Sequence, residues 1–117
     1  MGMQVNWNGY KYHKLQTAAG VTGAGSPMRL IDDAGGGLDT IAVQVEGITS
    51  ATVTWQVSLN GVDWYGILLS PPPTGTGALT ATADGIYRGN VKGLKWFRAN
   101  ITTFGSGTIE IEAFGVA

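Results

Sequence analysis

The sequence predicts an all-β fold: an antiparallel β-sandwich, jelly-roll or Ig-like, of about 7–9 short strands. Three observations carry this. Apolar residues recur with period two. Turn residues interrupt the runs every 8 to 12 residues or so. No segment shows the sustained i, i+3, i+4, i+7 spacing of an amphipathic helix, and 19 glycines spread through the chain oppose long helices.

The strands read off in order. Ile41, Val43 and Val45 alternate with Ala42, Gln44 and Glu46. Val53, Trp55, Val57 and Leu59 alternate with Thr52, Thr54, Gln56 and Ser58. Phe97, Ala99 and Ile101 alternate with Arg98, Asn100 and Thr102, and Ile109, Ile111 and Ala113 with Thr108, Glu110 and Glu112. Successive strand side chains point to opposite faces, so each run has an apolar face and a wet face. Gly47 to Ser50 is read as dividing the first two strands, and Gly105-Ser106-Gly107 the last two. Asn60-Gly61 is the strongest short hairpin signal. Asp84-Gly85 and Lys92-Gly93 are further turn signals. Ala18 to Pro27 and Ser70 to Gly77 read as loops, the second stiffened by Pro71, Pro72 and Pro73, which lack backbone donors.

The segment Asn6 to Leu15 stands apart. Tyr10, Tyr12 and Lys14 fall on one strand face, Lys11, His13 and Leu15 on the other, and neither is purely apolar. It reads either as an edge strand or as an arm packing on a neighbouring subunit. The expected organisation is one domain over 1–117, with 1–27 readable as an N-terminal arm plus loop.

Composition excludes several functions. Charged residues make up 13% of the chain and net charge is −1, so there is no basic face for nucleic acid. The weak charge gives little self-repulsion, which suits an assembly. With no cysteine, disulfides and thiolate metal sites are absent. No apolar run approaches the ~20 residues of a membrane span, and no signal-peptide pattern opens the sequence. No cofactor is expected.

No catalytic constellation assembles, so an enzyme is not expected. His13 is the sole histidine, and no serine lies in a Gly-x-Ser-x-Gly elbow. Asp32-Asp33 lacks EF-hand spacing and reads as turn chemistry. Glu110 and Glu112 share a strand face and read as its wet side. The glycines between Gly20 and Gly25 lack the lysine and the strand-loop-helix context of a phosphate loop.

The aromatics say more. Trp55 lies among Val53 and Val57 and belongs to the core. Trp64 and Tyr65 point to opposite faces, as do Trp96 and Phe97, so one of each pair faces outward or lies under a loop. Exposed rings stack on sugars or anchor interfaces. Trp64, Tyr65, Tyr87 and Trp96 are the glycan-stacking candidates of a carbohydrate- or receptor-binding reading.

Two blocks taken together carry a resemblance. The first is Ile41 to Ile67, with Ser58-Leu59-Asn60-Gly61-Val62-Asp63-Trp64 at its turn. The second is Gly85 to Ala113, with Gly85-Ile86-Tyr87, Val91-Lys92-Gly93, Arg98 and the closing Gly107-Thr108 strand. Their order resembles phage virion β-sandwich structural proteins: head decoration, head-fibre and tail domains. The turn carries Asn60 where Asp is commoner, and the first forty residues show no matching motif. The resemblance implies a virion structural protein, foremost a capsid decoration or cement protein. Such a protein binds the shell as a homo-oligomer, with a trimer favoured, and its partners are capsid or other virion proteins. The contact candidates are then Trp7, Tyr10, Tyr12 and His13, with Pro71, Pro72 and Pro73 in the stiff loop. Arg98 is expected to pair with Glu110 or Glu112 across a final hairpin.

Overall fold

A computed structural model describes residues 9–31, 36–71 and 76–117. Trp7, Asp32, Asp33, Pro72 and Pro73 lie outside the described residues. The fold is all-β and antiparallel, in one hydrogen-bonded network of seven strands. These are β1 (Tyr10–Ala19), β2 (Met28–Arg29), β3 (Thr40–Ser58), β4 (Tyr65–Gly66), β5 (Thr80–Ala81), β6 (Gly85–Asn90) and β7 (Trp96–Val116).

Two of the strands are long. β3 runs 19 residues and β7 runs 21, and they pair with each other from Thr40↔Val116 to Ser58↔Trp96. The expected breaks at Gly47 to Ser50 and Gly105 to Gly107 are therefore bends, not chain reversals. Register shifts fall between Glu46 and Val53, where β3 passes from Glu110 to Ile101 of β7. Each shift leaves extra residues on one strand, which kinks and twists the ribbon. Gly47 and Gly107 meet at the kink with φ of 89° and 127°. A Cβ on Gly47 would collide with the Thr108 carbonyl, and one on Gly107 with the Gly47 carbonyl. Asp84 accepts hydrogen bonds from Gly47 N at 3.1 Å and Ile48 N at 2.9 Å. Two donors at the kink are thereby satisfied.

The bend folds the sheet over on itself. One half is ordered β1–β7–β3–β6, using Ile109–Val116 of β7 and Thr40–Val45 of β3. The other is ordered β2–β7–β3, with β4 and β5 on the far side of β3. The period-two residues face each other between the halves. Ile41, Val43, Val45, Ile109, Ile111 and Ala113 come from the first, and Val53, Trp55, Phe97, Ala99 and Ile101 from the second; all are buried. Trp55 bridges them, its ring 5.4 Å from Tyr87 of the first half and 6.2 Å from Phe97 of the second. Leu15, Met28, Leu30 and Leu38 close the sides of this core.

Candidate functional site

The outer surface of the β1–β7–β3–β6 half is the site with unexpected chemistry. The strand register places its outward residues in three ranks. Tyr10, Val116, Thr40 and Asn90 form the first, Tyr12, Phe114, Ala42 and Arg88 the second, and Lys14, Glu112, Gln44 and Ile86 the third. A wet sheet face carries polar side chains. Here Tyr12 is 57% exposed, Phe114 and Ile86 45%, Tyr10 40% and Val116 39%. The Tyr10 and Phe114 rings stack at 5.5 Å. Hollows open on either side of Ala42, one lined by Thr40, Arg88, Gly89, Phe114 and Val116, the other by Tyr12, Ile86 and Glu112.

Charge sits at the rim of this face. Lys14 Nζ lies 2.6 Å from Glu110 and 3.5 Å from Glu112, and the Tyr12 hydroxyl donates to Glu112 at 2.7 Å. Glu110 also accepts from Ala18 N at 3.0 Å. The hydrogen bond from Lys14 holds the Glu110 carboxyl below its ordinary range, and that from Tyr12 does the same for Glu112. These carboxylates tie the edge strand β1 to β7. Arg88 marks the opposite rim, on β6.

The sequence candidates separate. Tyr10 and Tyr12 belong to this face. His13 points the other way, its Nε2 lying 3.1 Å from both the carbonyl and the hydroxyl oxygen of Ser26. The carbonyl can only accept, so Nε2 carries the proton in that contact. Burial, with help from nearby Lys11, depresses the His13 pKa, while the Ser26 carbonyl opposes the shift. Pro71 follows Ser70, whose backbone bridges Arg88, so it flanks the β6 edge.

The rings proposed for sugar stacking do not form one platform. Tyr87 is buried in the core, its hydroxyl donating to the Ala83 carbonyl at 2.7 Å. The Arg98 guanidinium lies 4.2 Å over the Trp64 ring, and that of Arg29 lies 5.9 Å over Trp96. Tyr65 is open, at 70% exposure. The expected pairing of Arg98 with Glu110 or Glu112 is not formed. Arg98 Nε donates to Gln56 Oε1 at 2.7 Å, its neighbour in the β3–β7 register, while the two acids bind Lys14 on the other half.

Phe114, Val116, Ala42, Ile86 and Arg88 were not among the sequence candidates. A signal was present: carrying the Ile109, Ile111, Ala113 alternation one step further puts Gly115 inside and leaves Phe114 and Val116 outside. An aromatic on the wet side of a glutamate-bearing strand marks such a face.

The fold is shared with two phage-derived proteins. The SPBc2 prophage-derived protein YomS superposes with a TM-score of 0.82 at 11% identity, covering 92% of this chain and 93% of that one. The PBSX exported protein XepA superposes with a TM-score of 0.82 at 15% identity over 92% of this chain. The chain spans 38% of the XepA length. No family model and no curated protein sequence matches the chain. At these identities the likeness is one of fold.

Proposed function

We propose that this chain is a structural protein of a phage particle, a capsid decoration or cement subunit, and that it assembles through the outer face of β1–β7–β3–β6. The observation that carries the reading is the exposed cluster of Tyr10, Tyr12, Phe114 and Val116, with Ile86 across the hollow beside Ala42, on a sheet face that water alone would make polar. Exposed apolar patches rimmed by polar groups mark protein contacts, and aromatic side chains are the usual anchors of such contacts. Support also comes from the two phage-derived proteins of the same fold and from a net charge of −1. The role is assembly and not catalysis: the acids beside the face, Glu110 and Glu112, are occupied in holding β1.

The test is whether the chain is part of the particle. Mass spectrometry of gradient-purified particles of the encoding phage should detect it in stoichiometric amounts, and gold-labelled antibody should decorate the shell. Its absence from purified particles, or a location on the tail alone, removes the capsid reading. The carbohydrate- or receptor-binding alternative keeps Tyr65 as an open ring but loses the four-ring platform.

A further inference from the structure

We infer that the partner seated on this face is a second copy of the chain, packed sheet on sheet about a two-fold axis parallel to the strands. The inference rests on the docking reading above and specifies its occupant.

The face is lopsided. Its β1 and β7 columns carry the bulky side chains Tyr10, Tyr12, Phe114 and Val116. The β3 column carries Thr40 and Ala42, with hollows on both sides of Ala42. A two-fold axis running between β7 and β3, along the strands, keeps each rank level and exchanges the columns. Phe114 of one copy then falls on Ala42 of the other, and Val116 on Thr40. Bulk meets hollow, twice over, as an isologous interface requires. An axis perpendicular to the strands would set β7 on β7 and stack Phe114 against its own copy.

Charge agrees with the same axis. Arg88 lies on the β6 rim and the Tyr12–Glu112 pair on the β1 side. The exchange brings the Arg88 guanidinium of each copy over the Tyr12 ring of the other, beside the carboxylate that Tyr12 binds. A cation on a ring with an anion at hand is favourable electrostatic complementarity. With a net charge of −1 per chain, little repulsion opposes the pair.

Size sets the strength. Four strands about 4.8 Å apart and three ranks about 6.8 Å apart make a projected patch on the order of 400 Å² per copy. A standard interface buries about 800 Å² per partner. At about half the standard area, the pair is weak and reversible.

The experiment is sedimentation velocity of the full chain from about 1 to 200 μM, concentrations at which weak pairing shows. The mass should rise from monomer to dimer with concentration. Ala42→Arg fills the hollow and Phe114→Asp removes the knob; each should weaken the pair at least tenfold. Melting temperatures taken alongside should match the wild type, which separates lost pairing from lost folding. Should Ala42→Arg fail to fold, Phe114→Asp, at a half-exposed position, carries the test. A wild type that stays monomeric at the highest concentration, a trimer, or a dimer indifferent to both substitutions overturns the two-fold pair. A monomer that still binds particles through Phe114 overturns the pair while leaving the docking reading standing.

Discussion

Asn60 does the work of the Ser58–Trp64 turn with one oxygen. Its Oδ1 accepts from Val62 N at 2.8 Å and Asp63 N at 2.9 Å, and its Nδ2 donates to Asp63 at 3.0 Å. The buried Ser58 hydroxyl accepts from Gly61 N at 2.8 Å, and Gly61 takes a φ of 75°. Asn60→Ala hands two exposed backbone donors back to water and should cost about 0.5–1.5 kcal/mol of unfolding free energy in urea melts. Arg98 and Trp64 should couple by about 0.5–1 kcal/mol in a double-mutant cycle, reflecting a half-exposed cation–π contact. The turn was legible because its signals are local: Asn-Gly chemistry needs no knowledge of the rest of the chain. The partner of Arg98 was not, because it depends on which strand lies alongside. A hairpin turning at Gly105 to Gly107 would have placed Arg98 opposite Phe114, within diagonal reach of Glu112. The β3–β7 ladder places it beside Gln56 instead.

The bend in the β3–β7 ribbon decides that ladder. Gly47 and Gly107 signalled an interruption, and a glycine interruption in a strand is either a reversal or a bulge. Nothing within a run of four residues tells them apart; the length and apolar pattern of the partner strand do. Gly47→Ala puts a Cβ against the Thr108 carbonyl at positive φ, and should cost at least about 3 kcal/mol or prevent folding. Denaturant melts of the variant measure it. The edge strand β1 should be the acid-sensitive element. Folded Glu110 and Glu112 have depressed pKa values, so their stabilising contribution is present above the ordinary carboxylate pKa and is lost as pH falls through the folded values. His13, also depressed, favours the neutral form, so protonation below its ordinary pKa disfavours the fold. Both effects act in the same direction. Amide exchange in β1 should become faster relative to β3, after correction for intrinsic rates, as pH falls below the ordinary imidazole value of 6.5 and again below the ordinary carboxylate value of 4.5. Equal protection of the two strands through both steps would contradict it.

At the scale of the whole molecule, the folded-over sheet has one dry interior and outer faces of different character. The interior was readable from alternation almost residue by residue, because burial imposes period two on every strand it uses. The outer β1–β7–β3–β6 face was half readable. Tyr10 and Tyr12 stood out as aromatics on an otherwise polar segment, whereas Phe114 and Ala42 gain meaning only when β1, β7 and β3 lie side by side. Contacts that assemble a particle leave weak marks in one sequence, since a single exposed ring is ordinary and only a cluster is informative. Of the N-terminal candidates, Tyr10 and Tyr12 share the outer face with Phe114, whereas His13 lies on the opposite side of β1 against Ser26.

The central claim is that assembly of the chain on a particle runs through this face. Cosedimentation of the full chain with purified particles, wild type beside Phe114→Asp, tests it most directly. The account predicts that the wild type pellets with the particles and that Phe114→Asp, folded with an unchanged melting temperature, stays in the supernatant. Equal binding of the two proteins would contradict it.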